Sequence, residues 1–130
     1  MIYVDTSVVL ATVLAEDTRP GADFWRAPSL ISSRLTEYEA WVRLHAYGRA
    51  ESHGSILAST LARLDLLGLH DDACARCRVP FPIPVRTLDA LHLSAADYLR
   101  SRGFVVEVAS YDGRMRQAAE ALGFKLSLLS

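Results

Sequence analysis

Four acidic residues, Asp5, Glu39, Asp89 and Asp112, offer the clearest chemistry in this chain. Carboxylates gathered in one crevice repel one another and raise one another's pKa, unless a cation sits among them. Mg²⁺ suits such a site. It prefers oxygen ligands, keeps several waters, and is usually held by one or two carboxylates together with substrate phosphate. One or two such ions can activate a water and stabilise the leaving oxygen in phosphodiester hydrolysis. That chemistry needs neither His nor Cys.

Each acid also has a plainer reading. Asp5, Asp89 and Asp112 all fall where a helix is expected to begin, and an acid there caps free N–H groups or complements the helix dipole. Glu39 lies within the run Leu35, Tyr38, Val42, Ala46, whose spacing reads as one apolar helical face. A carboxylate on that face needs a partner, because burying it alone is costly. An i,i+4 pair with Arg43 is one way to supply it. Glu37 competes with Glu39, since it shares a side with Trp41 and Leu44, and periodicity leaves the choice open.

The elements that must position these acids alternate. Ile2-Tyr3-Val4 reads as a buried parallel strand ending at Asp5. Asp5-Thr6-Ser7 brings N-cap chemistry to a helix from Val8 to Ala15. Residues 18–28 read as loop, with a short helix near Phe24 and Trp25, and Ser29–Ser33 as a second strand. A helix follows on the Leu35–Ala46 face. Another is expected over Ser52–Leu67, with Ile56, Leu57, Leu61, Leu64 and Leu67 as its stripe and Gly68 closing it. Residues 69–86 read mostly as loop, with a helical turn at 71–77 and an extended piece near Ile83–Val85. Thr87 is the expected N-cap of a helix whose Leu88, Leu91, His92, Ala95, Ala96 and Leu99 share a face, ended by Gly103. Phe104–Ala109 and Phe124–Leu129 read as strands, flanking a helix over Arg114–Leu122. Short apolar strands alternating with helices predict an α/β fold, a parallel sheet covered on both sides. Ligands of such sheets bind beyond the carboxyl ends of the strands, where Asp5, Asp89 and Asp112 fall.

The 130 residues suit a single domain spanning 1–130. About half are apolar, as in a packed globule rather than a disordered chain. No run is long enough to span a membrane. The N-terminus lacks a basic segment and carries an acid at position 5, so it does not read as a signal peptide, and a cytoplasmic location is expected. Net charge is −1, which argues against holding nucleic acid by charge alone but leaves room for an enzyme that meets phosphates through metal ions.

These residues resemble a known family. Tyr3-Val-Asp-Thr-Ser7 resembles the first motif of PIN domains. Ser33-Arg-Leu-Thr-Glu-Tyr-Glu39 is similar to the Ser-x-Leu-x-x-x-Glu motif, an alignment that selects Glu39 over Glu37. Arg86-Thr-Leu-Asp-Ala-Leu-His-Leu-Ser-Ala-Ala96 is very close to the Arg-Thr-x-Asp-Ala-x-His-Leu-Ala-x-Ala signature. Ser110-Tyr-Asp-Gly-Arg114 resembles the Thr/Ser-x-Asp segment. The four segments keep the family's order along nearly the whole chain, and the third in particular is most similar to VapC-type toxins. The resemblance implies a three-layer α/β/α sandwich with a central parallel sheet, and Mg²⁺- or Mn²⁺-dependent endonucleolytic cleavage of RNA. It also implies a homodimer and a cognate VapB-type antitoxin that blocks the acidic crevice. Asp5 and Asp89 would be the principal metal ligands, Glu39 and Asp112 would complete the set directly or through water, and the hydroxyl of Ser7 or Thr6 would support Asp5. The Pro-rich segment 80–84 and the two cysteines lie outside the family pattern.

Other constellations are weaker. His70, Cys74 and Cys77, with Asp71 or Asp72, could hold a soft metal, but a structural zinc site usually needs two separated ligand pairs. His92 follows Asp89 on its helical face and reads as a hydrogen-bonded core or interface residue. Phe24, Trp25 and Trp41 read as packing residues. Arg19, Arg26, Arg34, Arg43 and Arg86 are unranked candidates for phosphate or antitoxin contact. The competing functional class is a PIN-like binding module without catalysis, against which stands the presence of all four acids. A phosphate-accepting receiver domain would show adjacent acids after the first strand, where this chain has Asp5 alone.

Overall fold

The computed structural model describes residues 1–129. The strands are β1 Ile2–Val4, β2 Leu30–Ser33, β3 Asp65–Leu67, β4 Glu107–Ala109 and β5 Lys125–Leu126. They form one sheet in the order β3-β2-β1-β4-β5, with every pairing parallel. The helices are α1 Thr6–Val13, α2 Ala22–Trp25, α3 Arg34–Ala46, α4 Ala50–Leu61, α5 Asp71–Cys74, α6 Thr87–Ser101 and α7 Gly113–Ala121, with a 3₁₀ turn at Ala75–Arg78.

Side chains alternate across a strand, so each strand feeds two cores. Tyr3 and Val108 point to one side, where Leu93, Ala96 and Leu99 of α6 and Met115 and Ala119 of α7 close over them. Val4 and Ala109 point to the other, against Val8 and Val9 of α1, Ala40 and Leu44 of α3, and Leu57 and Leu61 of α4. This is the expected three-layer α/β/α sandwich. Leu93 is wholly buried in the first core. Leu93→Ala is therefore expected to cost about 3 kcal/mol through lost burial and the cavity left behind. A lowered midpoint in urea unfolding would show it.

The chain runs outward from β1 to β2 and β3, then returns to place β4 on the other side of β1. At that reversal the loops after β1 and β4 leave their neighbours in opposite directions and open a crevice at the carboxyl ends.

Five expectations change. Ser52–Leu67 is not one helix: α4 stops at Leu61, and Asp65–Leu67 pairs with β2 as an edge strand. The leucines at 61, 64 and 67 fit a helical stripe, but sheet pairing takes the last of them. The buried face of α3 is Leu35, Thr36, Ala40 and Leu44. Tyr38 and Val42, expected inside, are 55% and 66% exposed. Residues 104–106 lie outside β4, since Gly103 at φ +96 turns the chain out of α6 before it enters the sheet. Ile83–Val85 forms no strand, and β5 is confined to Lys125–Leu126.

Candidate active site

Asp5 leaves β1 as a buried residue, with its N–H donating to the Ala109 carbonyl of β4 at 2.9 Å. It occupies the N-cap position of α1, yet its side chain makes no capping bond. The carboxylate instead accepts the hydroxyls of Ser7 and Ser110 on Oδ2, both at 2.8 Å. Ser7 Oγ also accepts the Tyr111 N–H, and Ser110 Oγ accepts the Asp112 N–H, each at 3.0 Å. Two serines thus tie the start of α1 to the loop after β4 and fix the direction of Asp5. The helix-start reading fails for this acid.

It holds for Asp112, which caps α7 by accepting the N–H groups of Arg114 and Met115 on Oδ1. Those bonds occupy Oδ1, and the residue still lines the crevice. Asp89 sits in the first turn of α6, half-buried, and among the described residues no side chain donates to it. Burial pushes its pKa up, and the charges of Asp112 and Asp5 push it further.

Glu39 stands at the edge of the buried face of α3, one turn beyond Thr36. Its Oε1 accepts Thr6 Oγ1 at 2.8 Å and lies 2.6 Å from His92 Nε2. The pair with Arg43 that periodicity allowed is not formed; the ion partner of Glu39 is His92. Burial alone would raise the Glu39 pKa. The hydrogen bond and charge of His92, with the Thr6 hydroxyl, outweigh it and hold Glu39 below the ordinary carboxylate range.

His92 is buried, and both of its ring nitrogens are engaged, Nδ1 by the Tyr3 hydroxyl at 2.7 Å. Burial works to lower its pKa, but the bond to Glu39 and the charges of Asp5, Glu39 and Asp89 prevail and raise it. The core reading of His92 therefore holds, while its role in orienting Glu39 was not legible from position alone. The signal was its place three residues after Asp89 on one helical face. Ser110 was also missed, though it opens the Ser-x-Asp segment.

Asp5, Glu39, Asp89 and Asp112 line one cleft of about 90 Å³ with Thr6, Ser7, Arg43 and His92. The donors are oxygens from carboxylates and hydroxyls, and the acids face one another with Asp89 unanswered. That set fits a hard divalent cation. Among the described residues no three His, Cys, Asp or Glu groups already close into a metal cage. The acids line the cleft without closing into such a group, and its volume has room for an ion and a few waters. The His70, Cys74, Cys77 grouping does not assemble either: His70 caps α5 through the Ala73 N–H, and Cys77 is exposed. Of the arginines, Arg19 is spent on carbonyls of Ala15 and Glu16, Arg26 on Asp23 and Arg34 on Glu37, whereas Arg43 and Arg86 line clefts at the site.

A family model for the PIN domain matches residues 2–121. The chain belongs to the PIN-domain family. Relatives of this PIN-domain chain include ribonuclease VapC35 of Mycobacterium tuberculosis, 33% identical over 129 residues, 94% of this chain and 92% of the relative. Ribonuclease VapC46 of the same organism is 32% identical over 127 residues, with the same coverage. Two solved structures share the fold. One is a toxin–antitoxin complex from Klebsiella pneumoniae, with TM-score 0.64 and 16% identity over 93% of this chain and 94% of that one. The other is Mycobacterium tuberculosis VapC20, a sarcin-ricin loop cleaving toxin, with TM-score 0.65 and 18% identity over 91% and 95%. The VapC-type resemblance of the four motifs stands on these sequence matches.

Proposed function

We propose that this PIN-domain chain is a divalent-metal-dependent endoribonuclease, the toxin of a toxin–antitoxin pair, with Asp5, Glu39, Asp89 and Asp112 as its catalytic carboxylates. The observation that carries the reading is Asp89, a carboxylate with its pKa raised by burial and by its acidic neighbours, and with no donor among the described residues. Asp5 and Asp89 are assigned as principal ligands of Mg²⁺ or Mn²⁺, with Glu39 and Asp112 completing the set. A cation bound there would supply positive charge against phosphate oxygens and activate water for attack. Ser7 and Ser110 hold Asp5 in place, and Thr6 and His92 hold Glu39.

His92 is buried with both nitrogens occupied, so it is not available to take a proton from a ribose 2′-hydroxyl. Attack by water fits this arrangement better than attack by the RNA itself. We assign the exposed Tyr38 and Val42 on the outer face of α3 to protein contacts, either with a second copy in a homodimer or with a VapB-type antitoxin. No helix among the described residues is long and apolar enough to cross a membrane. A cytoplasmic site of action and a single domain over 1–130 complete the proposal.

The test is incubation of structured RNAs with purified protein in Mg²⁺ or Mn²⁺. Cleavage is expected, is lost in EDTA, and persists when the ribose at the cut carries no 2′-hydroxyl. Cleavage that continues in EDTA, or that needs that hydroxyl, would contradict the metal–water reading.

A further inference from the structure

The acidic cleft has room for an ion and a phosphate oxygen, but about 90 Å³ does not hold a base. A second cleft, of about 560 Å³, adjoins it and shares Asp89 as a lining residue. Volumes of this size take whole small-molecule groups. One wall is the segment 83–86 and the other is α7, through Arg114 and Gln117.

We propose that this second cleft seats a nucleotide of single-stranded RNA next to the cut, with the base against Ile83 and Val85 and its phosphate between Arg86 and Arg114. The inference rests on the ribonuclease reading and adds a substrate subsite to it. Three observations support it. The first is charge. Ion pairs among the described residues engage Arg26, Arg34, Arg78 and Arg100 and leave Arg86 and Arg114 out. A site ringed by carboxylates repels a polyanion, so guanidiniums beside it are what would draw phosphates in. The second is rigidity. Ile83 and Val85 pack on the α6–α7 core, and Arg76 braces the same loop by stacking over Phe81 and donating to the Val79 and Pro80 carbonyls. An apolar wall held this way can receive a base at little ordering cost. The third is recognition. Gln117 stands three residues after Arg114 on α7 and offers an amide that both donates and accepts, which suits a base edge.

Ile83 and Pro84 of the wall belong to the Pro-rich segment 80–84 that departs from the family pattern, whereas Arg86 opens the family signature. The base-facing part of the subsite is where this chain would set its own sequence preference.

Arg114 and Gln117 are both exposed on α7, so Arg114→Ala and Gln117→Glu leave the core intact. Binding of a short fluorescein-labelled single-stranded RNA is read by anisotropy in EDTA, across a salt series. Each variant is expected to bind roughly tenfold more weakly, and Arg114→Ala to reduce the salt slope by about one. Arg63→Ala, in the turn between α4 and β3, should bind as wild type does. If both α7 variants bind like wild type while wild type still cuts RNA, the subsite is wrong and the ribonuclease reading stands. If wild type neither binds nor cuts, the ribonuclease reading fails and takes the subsite with it. If the variants keep RNA affinity but lose a co-expressed antitoxin, the cleft is a protein-docking site and the proposal is overturned.

Discussion

Asp89→Asn is expected to lower RNA cleavage about a thousandfold while leaving the metal-free fold at least as stable as wild type. The two effects share one cause. In the absence of metal, Asp89 is an acid held half-buried, facing Asp112 and Asp5, and its folded pKa lies above its ordinary value. An acid with a raised folded pKa binds its proton more tightly in the native state than in the unfolded one, so it withdraws stability as pH rises through that interval. At neutral pH the charged form is a liability that Asn removes. With metal bound the sign reverses, because the same charge becomes a ligand. A lost ligand that forfeits about 4 kcal/mol of transition-state stabilisation corresponds to about a thousandfold in rate. Thermal melts with and without Mg²⁺ check the other half: wild type should gain stability with Mg²⁺, and Asp89→Asn should gain little. A variant less stable than wild type without metal would mean that Asp89 is a structural cap and not a ligand held in reserve.

The second large effect belongs to His92. His92→Ala removes the partner of Glu39 at 2.6 Å and the acceptor or donor for Tyr3 at 2.7 Å, inside a buried network. Breaking a buried pair from one side is expected to cost about 3 kcal/mol in unfolding free energy, because the remaining charge is left uncompensated. Cleavage should fall about 10- to 100-fold, the usual effect of removing a group that orients a ligand. The pH dependence separates this from a simple packing defect. The folded pKa of His92 is raised above 6.5, so its contribution is complete below that value and is lost as pH rises through the raised one. The folded pKa of Glu39 is lowered below 4.5, so its contribution is present above that value and is lost as pH falls through the lowered one. The pair is at full strength between about 4.5 and 6.5 in metal-free protein. His92→Gln, which can still donate to Glu39 but does not titrate, should flatten the loss of stability on the alkaline side. An unchanged slope in urea unfolding from acid to alkaline pH would assign it to other groups.

The sequence and the structure agree most where local chemistry and tertiary placement point the same way. Ile2–Val4 is an apolar run closed by an acid, and it is the central strand. Gly103 closes α6 in sequence and in space. The motif alignment selected Glu39, and the structure sets Glu39 in the cleft, but the periodic argument for it failed. Tyr38 and Val42 face outward, and the carboxylate lies inward because Thr36, Ala40 and Leu44 define the buried side. A short helix with apolar residues on two sides carries two candidate stripes, and only its neighbours choose between them. The edge strand β3 was illegible for a related reason: three residues in sheet pairing leave no period to read, and the preceding leucines extend a helical one. The serine brace was hidden because Ser7 and Ser110 are 103 residues apart and meet only through the β1–β4 pairing.

Everything proposed for this PIN-domain chain turns on the cleft being a metal site that cuts RNA. The most direct measurement is the cleavage rate of one structured RNA by wild type and Asp5→Asn, side by side, in Mg²⁺ and in EDTA. Cleavage is expected only in Mg²⁺, at the full rate for wild type and about a thousandfold slower for Asp5→Asn, whose circular dichroism should show it folded. Cleavage by folded Asp5→Asn at the wild-type rate would contradict this expectation and place the chemistry elsewhere in the molecule.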